Sequence, residues 1–130
     1  MIGMRYLQTV LLLCFGLTAL NAQNLDSLRW KNRVLLVFSP DSSSKSYREQ
    51  LEIVRLHHAA FAERDLVCVR ANSENMRKKY AVSPKDFAAV LIGKDGGEKF
   101  RSPVPVSAAQ LFSIIDAMPI RRMEMRGARQ

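Results

Sequence analysis

The chain has 130 residues, 48% of them hydrophobic and 25% charged, a composition typical of one globular domain. Its formal net charge is +8 at pH 7, which favours a partner that carries negative charge. The two cysteines are Cys14, in the N-terminal apolar segment, and Cys68; if that segment is removed, the single remaining thiol cannot form an internal disulfide.

The first 22 residues have the pattern of a secretory signal peptide. Arg5 is the one charge before an apolar run over residues 7–20, and Ala22 supplies a small residue at the expected cleavage point. The run is shorter than the roughly 20 residues that span a membrane. We therefore expect a secreted or periplasmic protein without a stable membrane span after cleavage, although retention as an anchor stays an alternative.

The strand signals alternate with helix signals along the remaining chain. Residues 34–38 are a continuous apolar run that predicts a strand buried on both faces, and residues 66–69 and 87–92 predict two more. Residues 93–97 contain Asp-Gly and predict a hairpin turn, after which residues 98–101 return as an antiparallel edge strand.

Helices are predicted between these strands. Ser46 and Glu49 form a capping-box pattern, and an apolar stripe that includes Tyr47, His58 and Phe61 continues to about residue 63. Residues 72–80 predict a short polar helix. Ser107 and Gln110 form a second capping box for a helix that Pro119 ends.

The succession of elements predicts an α/β fold of the thioredoxin-like type. A central mixed sheet of about four strands (β-α-β-α-β-β-α) would be flanked by helices. The predicted organisation is a signal peptide over residues 1–22, a thioredoxin-like domain over 23–120 and a basic C-terminal tail over 121–130.

Four segments resemble the domain of unknown function 4174 family: residues 29–33 (RWKNR), 63–66 (ERDL), 91–96 (LIGKDG) and 115–122 (IDAMPIRR). The second half of this set, Gly-Lys-Asp-Gly and Ile-Asp-Ala-Met-Pro, is the most specific. The resemblance implies a thioredoxin-like or peroxiredoxin-like fold and a location outside the cytoplasm, because members occur in exported bacterial proteins and in sushi-repeat-containing animal extracellular-matrix proteins. It implies no settled activity and no catalytic residues.

A thioredoxin-type enzyme holds its thiolate where the first strand meets the following helix, because the helix dipole lowers the thiol pKa there. Here residues 39–45 contain serines, proline, aspartate and lysine but no cysteine, so dithiol exchange is excluded. No proline directly precedes the third predicted strand, where Phe87 stands. Cys68, expected in a buried central strand, is interpreted as an inert apolar residue. The sequence predicts no catalytic residues and no cofactor.

Other candidate sites are weaker. His57 and His58 point about 100° apart on a helix and lack a third ligand, so no metal site is expected; His58 is interpreted as a core residue and His57 as outward-facing. Ser42, Ser43 and Ser44 are expected to cap the first helix, and an anion could bind the amides there. Arg121 and Arg122 are the second candidate for anion binding, although Asp116 is expected to pair with them structurally.

The function that follows is an exported, non-catalytic thioredoxin-like module that binds an unidentified protein or an anionic surface, with no nucleic acid expected. One alternative is a redox or peroxidase-type enzyme that uses Cys68. A second alternative is a structural or matrix component.

Overall fold

A computed structural model describes residues 22–128 of the chain. The predicted signal peptide, its cleavage point and Cys14 lie outside or at the edge of these residues, so they stay predictions. No helix within the described range is long and apolar enough to cross a membrane.

Six helices and four strands make up the described residues. In chain order they are α1 (Ala22–Leu28), β1 (Arg33–Phe38), α2 (Lys45–Leu56), α3 (His58–Glu63), β2 (Leu66–Arg70), α4 (Glu74–Tyr80), β3 (Ala88–Ile92), β4 (Glu98–Ser102), α5 (Ala108–Asp116) and α6 (Pro119–Ala128). The four predicted strands are confirmed, each within about one residue of its expected ends.

The strands form one mixed sheet in the order β2-β1-β3-β4. β1 is parallel to β2, with Leu35 opposite Cys68, and antiparallel to β3, with Leu36 opposite Val90. β4 completes the edge as the antiparallel partner of β3. All six residues of β1 are buried, as the apolar run predicted, although only one of its neighbours is parallel.

The two faces of the sheet bury alternate residues of β1. Val34, Leu36 and Phe38 pack with side chains of α1 and α4 on one face. Leu35 and Val37 pack on the other face with α2, α3 and α5. The sheet is therefore covered by helices on both faces, which is the predicted thioredoxin-like architecture.

Helix α2 begins two residues earlier than the predicted capping box requires. Ser44 is the N-cap, and its Oγ accepts a hydrogen bond from the Tyr47 backbone N–H at 3.2 Å. Ser46 lies inside the first turn, so its assignment as the cap was wrong, whereas capping by the serine cluster is confirmed. The helix also breaks at His57, which separates α2 from α3.

The second predicted cap is confirmed. Ser107 Oγ accepts from the Gln110 N–H at 3.2 Å, and the staple residues Val106 and Leu111 are both buried. Gln50, fully buried on α2, donates to the Val106 carbonyl at 3.1 Å and accepts from its N–H at 2.8 Å. This pair of bonds fixes the start of α5 against α2.

The segment expected to be a basic tail forms helix α6. Pro119 occupies its first turn, where a missing N–H costs nothing and the fixed φ favours the helix. Arg121 is only 6% exposed, and its guanidinium lies among Glu63, Asp116 and Glu124. Residues 121–128 of the expected basic tail are therefore helical.

An ionic cluster attaches α6 to the end of the sheet where β1 begins. Arg33, 1% exposed, donates to both carboxylate oxygens of Glu124 at 3.3 Å, and Lys94 Nζ reaches Glu124 at 2.6 Å and Asp65 at 2.9 Å. Arg64 and Arg121 share the carboxylate of Asp116. We call these residues the ionic cluster: Arg33, Arg64, Asp65, Lys94, Asp116, Arg121 and Glu124.

The pKa values of the two central carboxyl groups reflect these contacts. Hydrogen bonds from Arg64 lower the pKa of Asp116 more than its burial raises it. Burial alone would raise the pKa of Glu124, but hydrogen bonds from Lys94 and Arg33 outweigh it and lower that pKa. Both groups are therefore ionised in the folded protein at neutral pH.

We predict that Glu124→Gln lowers the free energy of unfolding by about 2 kcal/mol at pH 7, because it leaves Arg33 buried without a countercharge. Urea denaturation measures this. Glu49→Gln is the matched control, since the Lys45–Glu49 pair is exposed and should change stability by less than about 0.5 kcal/mol.

The same variant should change the response to acid. A carboxyl whose folded pKa lies below its unfolded value of about 4 stabilises the fold above that value and loses this effect as the pH falls. The native protein should therefore lose stability below about pH 4 more steeply than Glu124→Gln does. If the free energy of unfolding of the two proteins fell equally with pH, Glu124 would not be ionised by its contacts in the folded state.

We further predict that Ser44→Ala destabilises the protein by about 1 kcal/mol, because the Tyr47 N–H loses its acceptor. Ser46→Ala should change stability by less than about 0.5 kcal/mol. Thermal or urea unfolding of both variants compares the two positions directly. A larger loss for Ser46→Ala would place the start of α2 where the capping-box pattern put it.

Candidate functional site

The loop after β1 occupies the position at which a thioredoxin-type enzyme holds its nucleophile. Ser39 follows the last residue of β1 and is fully buried. Its N–H donates to Asn72 Oδ1 at 2.8 Å, and its carbonyl accepts from Arg77 Nη2 at 2.6 Å. Both partners follow β2 in the chain, so these bonds fix the start of the loop to the segment that leads from β2 into α4.

Arg77 is a buried cation that has no carboxylate within 4 Å among the described residues. Besides Ser39, it donates to the Ser83 carbonyl at 2.6 Å and to Asn72 Oδ1 at 3.2 Å. Burial lowers the pKa of this guanidinium, and the nearby negative charge of Asp86 opposes the effect. Arg77 therefore joins the loop after β1 to the segment before β3 through backbone carbonyls.

The serine cluster is internally hydrogen-bonded. Asp41 Oδ1 accepts from the Ser43 N–H at 2.9 Å and from the Ser43 hydroxyl at 2.6 Å, and these bonds lower the pKa of Asp41. Ser44 caps α2, and Ser42 is exposed. The carboxylate of Asp41 thus already accepts hydrogen bonds from Ser43 donors that were expected to bind an external anion. Anion binding by Ser42, Ser43 and Ser44 stays a prediction.

Arg121 and Arg122 lie at the other end of β1. Arg121 donates to Asp116 and to the Glu63 carbonyl, both at 3.3 Å, so the predicted ion pair with Asp116 is confirmed for this residue. Arg122 is exposed. The ionic cluster surrounds Arg33, the first residue of β1, whereas the serines follow its last residue. The structure does not bring the two candidate anion sites together.

Cys68 lies on β2, which is an edge strand, so the expected central position was wrong. The residue is half-buried, and its side chain packs against the core face that contains Leu35 and Phe61. Burial raises the pKa of this thiol to about 12. At pH 7 the thiol is therefore protonated.

His57 and His58 are both exposed, which contradicts the core position expected for His58. The backbone break at His57 turns the apolar stripe, so the side chain that follows no longer faces the sheet. His57 instead hydrogen-bonds the Ile53 carbonyl at 2.9 Å and contacts the edge of Phe112. Within residues 22–128, no group of three or more His, Cys, Asp or Glu side chains is placed to hold a metal ion.

A cavity of about 340 Å³ opens at the end of the sheet where β1 begins, between α1, α4 and the β3–β4 turn. Its apolar walls are Leu25, Leu28, Val34, Tyr80 and Ile92. Polar groups and turn glycines surround the mouth: Asp26, Arg29, Asn32, Lys79, Gly93, Asp95, Gly96 and Gly97. The cavity therefore lies at the opposite end of β1 from the loop that contains Ser39.

The turn that carries Arg29 into the mouth has an unusual backbone. Trp30 has a φ of 69°, a left-handed conformation that bulky residues rarely adopt. Its N–H donates to the Lys94 carbonyl at 2.6 Å, and the N–H of Asn32 closes the end of α1 on the Leu28 carbonyl. Trp30 is 63% exposed.

Sequence reasoning missed both the Arg77 contacts and the cavity. Arg77 lies in a segment whose composition indicated only a polar helix, and no periodicity distinguishes it from Lys78 or Lys79. The cavity forms between elements far apart in the chain, so its residues share no local pattern. The RWKNR segment was singled out, but as a mark of family resemblance.

Comparison with known proteins agrees with this architecture. A solved structure of reduced Plasmodium vivax 2-Cys peroxiredoxin superposes with a TM-score of 0.63 at 19% sequence identity, over 78% of this chain and 84% of that one. This similarity shows the thioredoxin-like fold alone.

Similarity in sequence extends to an animal protein. The coiled-coil domain-containing protein 80 of Danio rerio is 25% identical over 134 aligned positions, which cover 78% of this chain and 15% of that protein. The chain thus corresponds to a small part of that relative. The family model described as domain of unknown function 4174 matches residues 24–72 and 70–124. This chain belongs to the domain of unknown function 4174 family.

Proposed function

We propose that the chain is an exported, non-catalytic thioredoxin-like module that binds a partner carrying negative charge. The observation that carries the proposal is the pairing of charges on its surface. Most carboxylates in the described residues are already in ion pairs, whereas a set of accessible basic side chains has no carboxylate within 4 Å: Arg29, Lys31, Arg48, Arg70, Lys79, Lys85, Arg122 and Arg126.

Unpaired cations attract an anionic partner more strongly than paired cations do. A paired lysine or arginine must first give up its own carboxylate, and its field is largely cancelled at short range. The cations named above need no such exchange. An anionic partner would therefore be attracted by these residues more than by the formally equal charges of Lys45, Arg55 and Lys78, which are held by carboxylates on their own helices.

The non-catalytic part of the proposal is supported by the loop after β1. Residues 39–45 supply hydroxyl and carboxylate oxygens and an amine, but no sulfur. Hydroxyl groups lack the acidity and the redox chemistry of a thiol. Cys68 lies elsewhere, on an edge strand, with a raised pKa.

Export is supported by the leader pattern of residues 1–22, with its basic start, short apolar run and small residue at Ala22. A domain with a single cysteine after that leader has no internal disulfide to gain from an oxidising compartment. Its stability would rest on the core and on the ionic cluster.

We predict that the purified protein binds heparin-agarose at low salt and elutes as salt is raised, because screening weakens attraction between exposed charges. The triple variant Lys31→Gln, Arg48→Gln, Arg122→Gln should elute at clearly lower salt than the native protein. The matched triple variant Lys45→Gln, Arg55→Gln, Lys78→Gln loses the same formal charge and should shift the elution less.

Passage of the native protein through the column at low salt would refute the anionic partner. Equal shifts for the two triple variants would refute the role assigned to the unpaired cations.

We also predict that Cys68 reacts very slowly with an aromatic disulfide reagent in the native protein at pH 8, and completely in denaturant, because its side chain packs against the core and burial raises its pKa to about 12. The Cys68→Ser variant supplies the background rate. A fast native reaction that disappears in Cys68→Ser, together with peroxide consumption that disappears with it, would favour the thiol enzyme instead.

A further inference from the structure

We propose that β2 is a dimerisation edge: two copies of this chain pair their β2 strands antiparallel and join their four-stranded sheets into one continuous sheet. This proposal does not rest on the proposed function, which concerns cations distributed over the surface. It concerns the backbone groups at one edge of the sheet, and it follows from which of these groups the fold leaves without a hydrogen bond.

The backbone of β2 is hydrogen-bonded on one side. Among the described strands β1 is its one neighbour, and the Arg33 N–H donates to the Asp65 carbonyl at 2.8 Å in this parallel pair. Backbone groups alternate in direction along a strand, so the odd-numbered residues of β2 face β1. The even-numbered residues direct their N–H and C=O groups away from the sheet: Leu66, Cys68 and Arg70. No described residue hydrogen-bonds these groups.

The opposite edge of the sheet is protected in ways that β2 is not. β4 has a register irregularity against β3, exposed charged side chains at Glu98, Lys99 and Arg101, and Pro103 directly after it. Charged side chains, irregular pairing and proline all hinder the addition of another strand to an edge. β2 pairs regularly with β1 and contains one charged residue, Arg70. The edge at β2 is therefore the one that suits a further strand.

The sequence of β2 is complementary to itself in the antiparallel direction. When Cys68 lies opposite Cys68 of the second copy, Val67 lies opposite Val69 and Arg70 lies opposite Leu66 of that copy. Cross-strand pairs of β-branched residues stabilise antiparallel strands. Val67 and Cys68 are half-buried in one copy, so this pairing would remove further apolar surface from water.

This register also satisfies the free backbone groups and separates the charges. Residues that lie directly opposite each other can exchange both of their backbone hydrogen bonds, which would involve all three outward-facing residues of each copy. The two Arg70 side chains would lie about 13 Å apart along the strands, beyond the screening length of about 8 Å at physiological salt. A register centred on Val67 would instead place Arg70 opposite Arg64, and like charges in that position are destabilising.

An acidic extended peptide suits this edge less well than a second copy does. Arg70 is the one charged side chain on β2, and its guanidinium lies 5.3 Å from the centre of the Tyr47 ring. It therefore lies against a helix on one face of the sheet, so an acidic side chain would gain little from the edge itself. The other side chains of β2 are apolar and match those of an identical strand.

Sedimentation equilibrium of the purified protein tests the proposal. We expect a reversible monomer–dimer equilibrium between about 1 μM and about 500 μM. Salt should strengthen it, because both copies carry a net positive charge and screening weakens their repulsion. Salt weakens binding to heparin, so the opposite responses to salt distinguish this inference from the proposed function.

Amide hydrogen exchange, followed by NMR, identifies the strand that pairs. The N–H groups of Leu66, Cys68 and Arg70 should exchange fast at concentrations where the protein is monomeric and slowly where it is dimeric. Those of Val67 and Val69 face β1 and should exchange slowly at both concentrations. This alternation along β2 is the signature of pairing through its outer edge, and an interface elsewhere on the domain would not produce it.

Matched variants test the side chains. Val67→Lys should raise the dissociation constant of the dimer about tenfold, because it places an ammonium group opposite Val69 of the second copy. Val104→Lys makes the same change beyond β4, at the opposite edge of the sheet, where Val104 is 59% exposed, and should leave dimerisation unchanged. Urea unfolding curves establish that both variants fold. If Val67→Lys does not fold, the exchange pattern of the native protein decides.

Four results would overturn the proposal. They are a monomer at every concentration and salt, a dimer in which the three outward-facing amides exchange as fast as in the monomer, protection of these amides already in the monomer, and equal weakening of the dimer by the two variants. Retention on heparin-agarose by a strict monomer would leave the proposed function intact and remove the dimer. Dimerisation without retention would do the opposite.

Discussion

Strand β1 is buried along its whole length, and its first residue is an arginine. A guanidinium that is 1% exposed must be met by a carboxylate and by hydrogen-bond acceptors, because an isolated buried charge is very costly. Glu124 supplies the charge, and the Arg64 carbonyl accepts a further hydrogen bond at 2.8 Å. Arg33 Nε alone has no partner. The position of the last helix follows from this requirement.

The same constraint explains how the two ends of the described chain meet. Lys94, in the β3–β4 turn, binds Glu124 of α6 through its side chain and the N–H of Trp30 through its carbonyl. Burial would lower the pKa of Lys94, but its bonds to Glu124 and Asp65 outweigh that effect and raise it. One turn residue thus contacts the segment after α1 and the terminal helix, and it lies beside the mouth of the cavity.

At the opposite end of β1, the described contacts join a charged group to a neutral one and include no ion pair. The loop that begins at Ser39 is held by an amide oxygen of Asn72 and by Arg77, whose acceptors are carbonyl and amide oxygens. Asp41 and Ser44 complete the bonding within the loop. The polar groups here mostly hydrogen-bond to one another. The cavity at the other end of β1 is lined by Arg29 and Lys79, which have no carboxylate within 4 Å among the described residues.

The strands and the fold class could be predicted from the sequence, because an apolar run or a Gly-rich turn is recognisable from a few consecutive residues. The sequence predicted that a serine caps the first long helix, but it did not identify which one. Ser44 and Ser46 are both residues of the type that favours an N-cap. The helical state of α6 was missed because a basic composition resembles a tail unless the buried acceptors of Arg121 are known. The cavity and the Arg77 contacts are formed by residues that lie in different elements of the chain. No local sequence pattern predicts such contacts.

Helix α6 also bears on where this domain ends in a longer polypeptide. The carboxylate that neutralises Arg33 belongs to Glu124, which lies beyond residue 118, after the last helix that covers the sheet. A fragment that stops at Met118 would contain every strand and yet retain an arginine in its interior without its counterion. Boundaries chosen for expressing or transplanting this domain should therefore keep Pro119–Ala128 as part of the folding unit.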